Sequence, residues 1–130
     1  MSDFPAPDYT IVNLKEIGEP AGENVEAHFA RKHLGSEHLG VSHFRYSPGF
    51  HPEKGHSHRE QEEVYVVVAG SGRIKLNDEI VELRQWDTVR VAPSTWRALE
   101  GGPEGLEFIA IGTDRPEGGY GMHTENFWTD

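Results

Sequence analysis

His56 and His58 are the residues whose types and spacing most readily do chemistry. They lie two apart in the stretch GHSHREQEEVYVVVAGSG, residues 55–72. In an extended chain, side chains two apart share a face, so both imidazoles can reach one cation. A carboxylate follows. Glu62 shares the parity of His56 and His58 along a straight strand. Glu63 sits at an odd offset and joins them only if residues 59–62 bend and the chain returns in a second strand. Two neutral imidazoles and one carboxylate form a facial triad, the donor set of non-haem iron and, with altered geometry, of manganese, nickel, zinc or copper. An isolated His-x-His in a polar loop is ordinarily just solvated. Here the pair precedes a carboxylate that opens the most apolar run of the chain.

Other residues carry weaker signals. His51, five residues before His56 across Pro52-Glu53-Lys54-Gly55, could fold inward as an extra ligand; a solvated loop histidine is the competing reading. Tyr65 and Val67 share the face of Glu63 and could line a pocket or belong to an ordinary core. His28, His33, His38, His43 and His123 have no partner spacing and read as surface or packing residues. Trp86 and Trp96 read as packing. Ser57, Ser71 and Ser94 lack the His/Asp arrangement that nucleophilic catalysis requires.

The elements that must position these groups are short. Fifteen glycines and eight prolines punctuate runs of six to eight residues, a spacing that suits an all-β sandwich or barrel. Tyr9–Leu14 reads as a first strand. Val25–Leu34 reads as a short helix capped by Gly35, on the i, i+4 pair Val25 and Phe29, although Val25, Ala27 and Phe29 also alternate. Strands are expected over Leu39–Tyr46 and Glu63–Ala69, with Gly70-Ser71-Gly72 as a turn. A hairpin through Asn77-Asp78 joins Ile74–Leu76 to Ile80–Leu83. Thr88–Ala92, Trp96–Leu99 and Leu106–Ile111 follow, with a loop over Gly101–Gly105. Two aromatics in the C-terminal ENFWTD are expected to tie the tail to the body.

Composition narrows the function classes. The 130 residues carry 12 basic and 22 acidic side chains, a net charge of −10, and protonating all eight histidines would leave −2. Such a chain repels phosphate backbones, which argues against nucleic-acid binding. Cysteine is absent, so disulfides, Fe–S clusters and thiolate zinc sites are excluded. The run Val64–Ala69 is too short to span a bilayer, and the first ten residues lack the basic and apolar regions of a secretory signal. A cytoplasmic protein is expected. A chain of this size buries about two-thirds of its surface on folding, enough for one core without staples.

The stretch around His56 resembles the first motif of the cupin superfamily: a glycine, His-x-His, a carboxylate three or four residues later, six residues, and a glycine. The six residues Val64–Ala69 before Gly70 select Glu63 over Glu62 as the motif carboxylate. The leading Gly49 is one position out. WDTVRVAPSTWRALEGG, residues 86–102, resembles a degraded second motif. Asp87 and the strand Thr88–Val91 match, Ala92 stands where proline is usual, Ser94 replaces a glycine, and Arg97 occupies the position of the fourth ligand histidine. The chain is also similar to small bacterial single-domain cupins. The resemblance implies a double-stranded β-helix, the jelly-roll barrel, in one domain over 1–130, with a barrel core at about 39–112, an N-terminal extension 1–38 and a tail 113–130. It implies a divalent transition metal (Fe, Mn, Ni, Zn or Cu) on His56, His58 and Glu63, or none. Glu62 and His51 are candidate extra ligands, and Tyr65 and Arg97 candidate substrate contacts. It also implies a small-molecule ligand, metalloenzyme chemistry of dioxygenase, isomerase or lyase type, and a homodimer.

Arg97 divides the expectations, because arginine stays protonated and cannot ligate a metal. It could clamp an anionic substrate above an open three-ligand metal. It could instead pair with Glu63 through a bidentate fork, leaving a metal-free binding module. Two like unit charges about 4 Å apart repel by roughly 4 kcal/mol at an effective dielectric of 20.

Overall fold

The computed structural model describes residues 8–18, 22–114 and 121–128. These described residues form eight strands: β1 Val25–Phe29, β2 Gly40–Tyr46, β3 Gly55–Ser57, β4 Glu63–Leu76, β5 Glu79–Arg84, β6 Thr88–Val91, β7 Arg97–Gly112 and β8 Met122–Thr124. All their pairings are antiparallel, and they join in one curled sheet. The protein is an all-β jelly roll, as its short β-branched runs imply.

Two long strands organise it. β4 pairs with β7 along both of its halves, from Glu63↔Gly112 to Gly70↔Leu106 and again from Gly72↔Gly101 to Leu76↔Arg97. Alternate residues of these strands point inward and build the core of Tyr65, Val67, Ile74, Leu99, Leu106, Phe108 and Ala110, closed by Leu83 and Val91.

This pairing corrects the expectation of a turn at Gly70-Ser71-Gly72 and a loop at Gly101–Gly105. Both stretches lie within continuous strands, with register shifts on either side of Ala69–Gly70. The glycines let two bent strands come together. Gly70 has φ 74°, and a Cβ there would run into the Gly105 carbonyl oxygen, as one at Gly72 would into that of Glu100. A bulge and a turn ask for the same residue.

The N-terminal expectations also change. Val25–Phe29 is a strand, because its backbone groups find a full ladder on β2, from Val25↔Tyr46 to Phe29↔Ser42. The helix is a single turn, α1 Arg31–Leu34, capped by Gly35 at φ 68°. Tyr9–Leu14 is not a strand. It runs into a 3-10 turn at Leu14–Glu16, where Asn13 Oδ1 accepts from the Lys15 N–H at 3.0 Å. The hairpin at Asn77-Asp78 forms as expected, with Asn77 at φ 56°. Trp86, expected to pack, is 66% exposed. Phe127 and Trp128 do hold the tail, packing with Ala98 and Trp96, and Lys75 Nζ donates to the Phe127 carbonyl at 2.6 Å.

Candidate functional site

β3 is a strand of three residues, and its register places His56 opposite Arg97 of β7 on one side and His123 of β8 on the other. His58 follows the strand, its N–H bonded to the Pro93 carbonyl at 2.7 Å. Residues 59–62 bend, and Glu63 opens β4. The bend cancels the odd offset of Glu63. Its Oε1 lies 3.3 Å from His56 Nε2 and 3.5 Å from His58 Nε2. One potential ligand atom from each of the three residues lies within 4.8 Å of the other two. The imidazoles stand edge to face, 5.2 Å apart. A Cβ at Gly121 would come within 2.5 Å of His58 Nδ1, so the tail closes directly against this ring.

The remaining contacts fix Glu63. The Tyr65 hydroxyl donates to Oε1 at 2.8 Å, and Arg97 Nη2 donates to the same oxygen at 2.7 Å. Burial opposes ionisation of Glu63, but hydrogen bonds from His56 and His58 and the Arg97 charge outweigh it, and its carboxyl is held far below the usual range. Burial pushes the His56 pKa down, partly offset by Glu63, which favours an unprotonated ring with a free lone pair. Burial pushes the Tyr65 hydroxyl upward, so it stays a donor.

Arg97 is fully buried. Its Nη1 donates to the carbonyls of Thr95 at 2.7 Å and Pro93 at 3.1 Å. The pairing with Glu63 therefore uses one nitrogen and one oxygen rather than a fork, because Nη1 serves the loop before β7 and Nε donates to the Tyr65 hydroxyl at 3.4 Å. Arg97 lies behind Glu63 and off the wall of the adjoining cavity.

That cavity has a volume of about 360 Å³. His56, His58, Glu63 and Tyr65 form one part of its lining, and Phe29, Phe44, Tyr46, Leu99 and Phe108 another. The exposed Lys54 and His123 mark its opening. Glu62 is turned away and bonds Arg90. His51 Nδ1 donates to the Pro52 carbonyl at 3.1 Å, and its ring lies 5.6 Å from Trp128. Neither joins the triad among the described residues.

Sequence reasoning passed over two features. His123 lines the cavity with its ring 6.4 Å from His56, and only the β3–β8 register brings it there. Gln61, inside the bend, is buried and donates to the Thr113 carbonyl at 3.0 Å. The glutamate-rich run around it hides a side chain that faces inward.

No protein-family model matches the sequence, and no curated protein does. Solved structures do match. A cupin protein from Bacteroides fragilis superposes with a TM-score of 0.71 at 23% identity, over 88% of this chain and 92% of that one. A variant of the oxalate decarboxylase of Bacillus subtilis gives 0.72 at 20% identity, over 89% of this chain but only 32% of the longer enzyme; that decarboxylase is described with Mn(II) centres. A sugar phosphate isomerase of the cupin superfamily from Silicibacter pomeroyi gives 0.63 at 20% identity, over 72% and 61% of the two chains. At these identities the likeness is one of backbone, and with the jelly roll and its inward-facing histidines it leads to one statement: the chain has the cupin fold.

Proposed function

We propose that the protein binds a divalent transition-metal cation through His56, His58 and Glu63, and a small molecule in the cavity beside them. The convergence of three donors within 4.8 Å on a cavity wall carries this reading. The donor chemistry fits: one imidazole held unprotonated by burial, a second close by, and a carboxylate held ionised. Iron, manganese, nickel, zinc and copper all accept such a set. A bound metal would supply Lewis acidity toward a carbonyl or carboxylate oxygen, and dioxygenase, isomerase and lyase chemistry all use centres of this kind. The chain's own residues do the rest. Tyr65 and Arg97 fix the Glu63 oxygen, and burial keeps the His56 ring from protonating.

The lining speaks about the ligand. Oxalate and a sugar phosphate, the compounds in the names of the neighbours, are polar throughout. Phe29, Phe44, Leu99 and Phe108 offer such molecules little. A small molecule with an apolar body and one polar end matches them better, the polar end lying toward His56 and Glu63. The same proposal places the protein in the cytoplasm as a homodimer, which light scattering on the purified chain tests. No helix among the described residues is long and apolar enough to cross a membrane.

A second reading has its own observation. Arg97 Nη2 lies 2.7 Å from Glu63 Oε1 and already balances that charge. In this reading the site is a metal-free polar end of a binding pocket. Elemental analysis of protein purified without a histidine tag, then reconstituted with each metal, separates the two. One equivalent that disappears in the His56→Ala, His58→Ala double variant supports the metal reading. No uptake after reconstitution overturns it.

A further inference from the structure

A second group of the same residue types lies on the opposite face of the sheet. β1 and β2 pair with His28 opposite His43 and Glu26 opposite Arg45. Period-two alternation puts Glu26, His28 and His43 on one face, while Phe29 and Phe44 point the other way into the cavity. The two imidazoles stack 5.6 Å apart, 23° from parallel. His28 is 4% exposed and His43 2%. One potential ligand atom from each of Glu26, His28 and His43 lies within 4.8 Å of the other two.

The tethering of the rings makes this more than a cluster. His28 Nδ1 donates to the Ile17 carbonyl at 2.6 Å and Nε2 to Glu26 Oε2 at 2.8 Å, and these two contacts raise its pKa. His43 Nε2 contacts Glu107 Oε1 at 2.7 Å. As the donor there, it leaves Nδ1 unprotonated, and that nitrogen is buried with no hydrogen-bond partner among the described residues. Each imidazole thus has one nitrogen held by an oxygen outside the trio, which leaves His43 Nδ1 as a ready lone pair and His28 Nε2 as a donor that would give up its proton to a cation. That is how metal-ligating histidines are oriented: the outer N–H goes to a carbonyl or carboxylate. The Glu26 side chain is 35% exposed, which leaves a way in from solvent.

We propose that Glu26, His28 and His43 form a second divalent-cation site, on the outer face of the barrel and independent of the one beside the cavity. Two imidazoles and one carboxylate favour zinc or cobalt over magnesium or calcium, which take oxygen ligands. Water would complete the coordination from the Glu26 side. Lys15, 3.2 Å from Glu107, and Arg45, across from Glu26, add positive charge nearby. The affinity is therefore expected to be weaker than three such ligands give in a neutral setting.

The experiment is a zinc titration of the full-length, tag-free, chelator-stripped protein, with cobalt as a spectroscopic check of imidazole ligation. The His56→Ala, His58→Ala background silences the cavity site, so failure there is scored separately. One equivalent of zinc bound in that background, weakened at least tenfold by a further Glu26→Gln, is the expected result. Glu26→Gln keeps the shape of a partly exposed side chain, and circular dichroism confirms that it folds. No zinc bound in the background, or binding that Glu26→Gln leaves unchanged, overturns the proposal.

Discussion

The two His–His–Glu groups of this protein use the same donors on opposite faces of one sheet, and their surroundings differ. On the cavity side the carboxylate of Glu63 is 15% exposed and accepts from the buried cation Arg97. On the outer side the carboxylate of Glu26 is 35% exposed and bonds His28, with the exposed Arg45 across from it on the neighbouring strand. The inner group therefore depends on a charge pair that water cannot rescue, whereas water reaches the carboxylate of the outer one. Identical ligand sets should then respond differently to the same kind of change.

The largest expected effect belongs to Arg97→Met. It strips Glu63 of its buried counter-charge and leaves the Thr95 and Pro93 carbonyls without their donor. Breaking a buried pair on one side costs about 3–5 kcal/mol, to be read from the urea midpoint. A loss under about 1 kcal/mol would erase the contrast between the two faces.

Next comes metal itself. At a hundredfold excess over its dissociation constant, a cation bound only by the folded protein adds about 2.7 kcal/mol. Removing metal with EDTA should lower the melting temperature of the wild type correspondingly. The His56→Ala, His58→Ala variant should lose the share of that shift due to the cavity site. If the full shift survives in this variant, all of it comes from elsewhere on the protein.

A smaller effect is expected from Arg97→His, which exchanges a fixed cation for an imidazole. Metal affinity at the cavity site should rise at least tenfold, about 1.4 kcal/mol, in a competitive titration at one pH and ionic strength. Equal affinity in wild type and variant would mean that the guanidinium does not hold the metal back.

The smallest is the stability change from Glu26→Gln in metal-free protein. A partly exposed ion pair contributes less than about 1 kcal/mol, so the melting curve should barely move while Arg97→Met shifts it strongly. A loss as large as that of Arg97→Met would make the outer carboxylate a structural element comparable to the inner pair.

How much of this was legible in the sequence follows from distance along the chain. His56, His58 and Glu63 span eight residues, and the period of an extended chain with one bend decides their geometry. Only the choice between Glu62 and Glu63 needed a motif, and the bend at 59–62 settles it in space. His28 and His43 are fifteen residues apart on different strands, and each alone is an ordinary histidine. Their meeting depends on the β1–β2 register, which no local pattern in Val25–Leu34 revealed, since that stretch carried helix and strand spacing together. The position of His123 likewise depends on β8 adding beside β3.

The sequence by itself determined the alternation that makes an all-β protein, the hairpin at Asn77-Asp78, the aromatic anchor of the tail and the inner donor set. The alternation, the hairpin and the donor set depend on neighbours within a few residues, where backbone geometry is nearly fixed, and the tail anchor on two large apolar rings that must leave water. Tertiary structure alone decided that the glycines of residues 70–72 and 101–105 bend two strands past each other instead of reversing them, because only the close approach of β4 and β7 distinguishes a bulge from a turn. It also decided that Arg97 faces Glu63 and the loop carbonyls rather than the cavity. A buried guanidinium goes where enough oxygens can satisfy its donors, and those of Thr95, Pro93 and Glu63 come together only when β4 folds across β7.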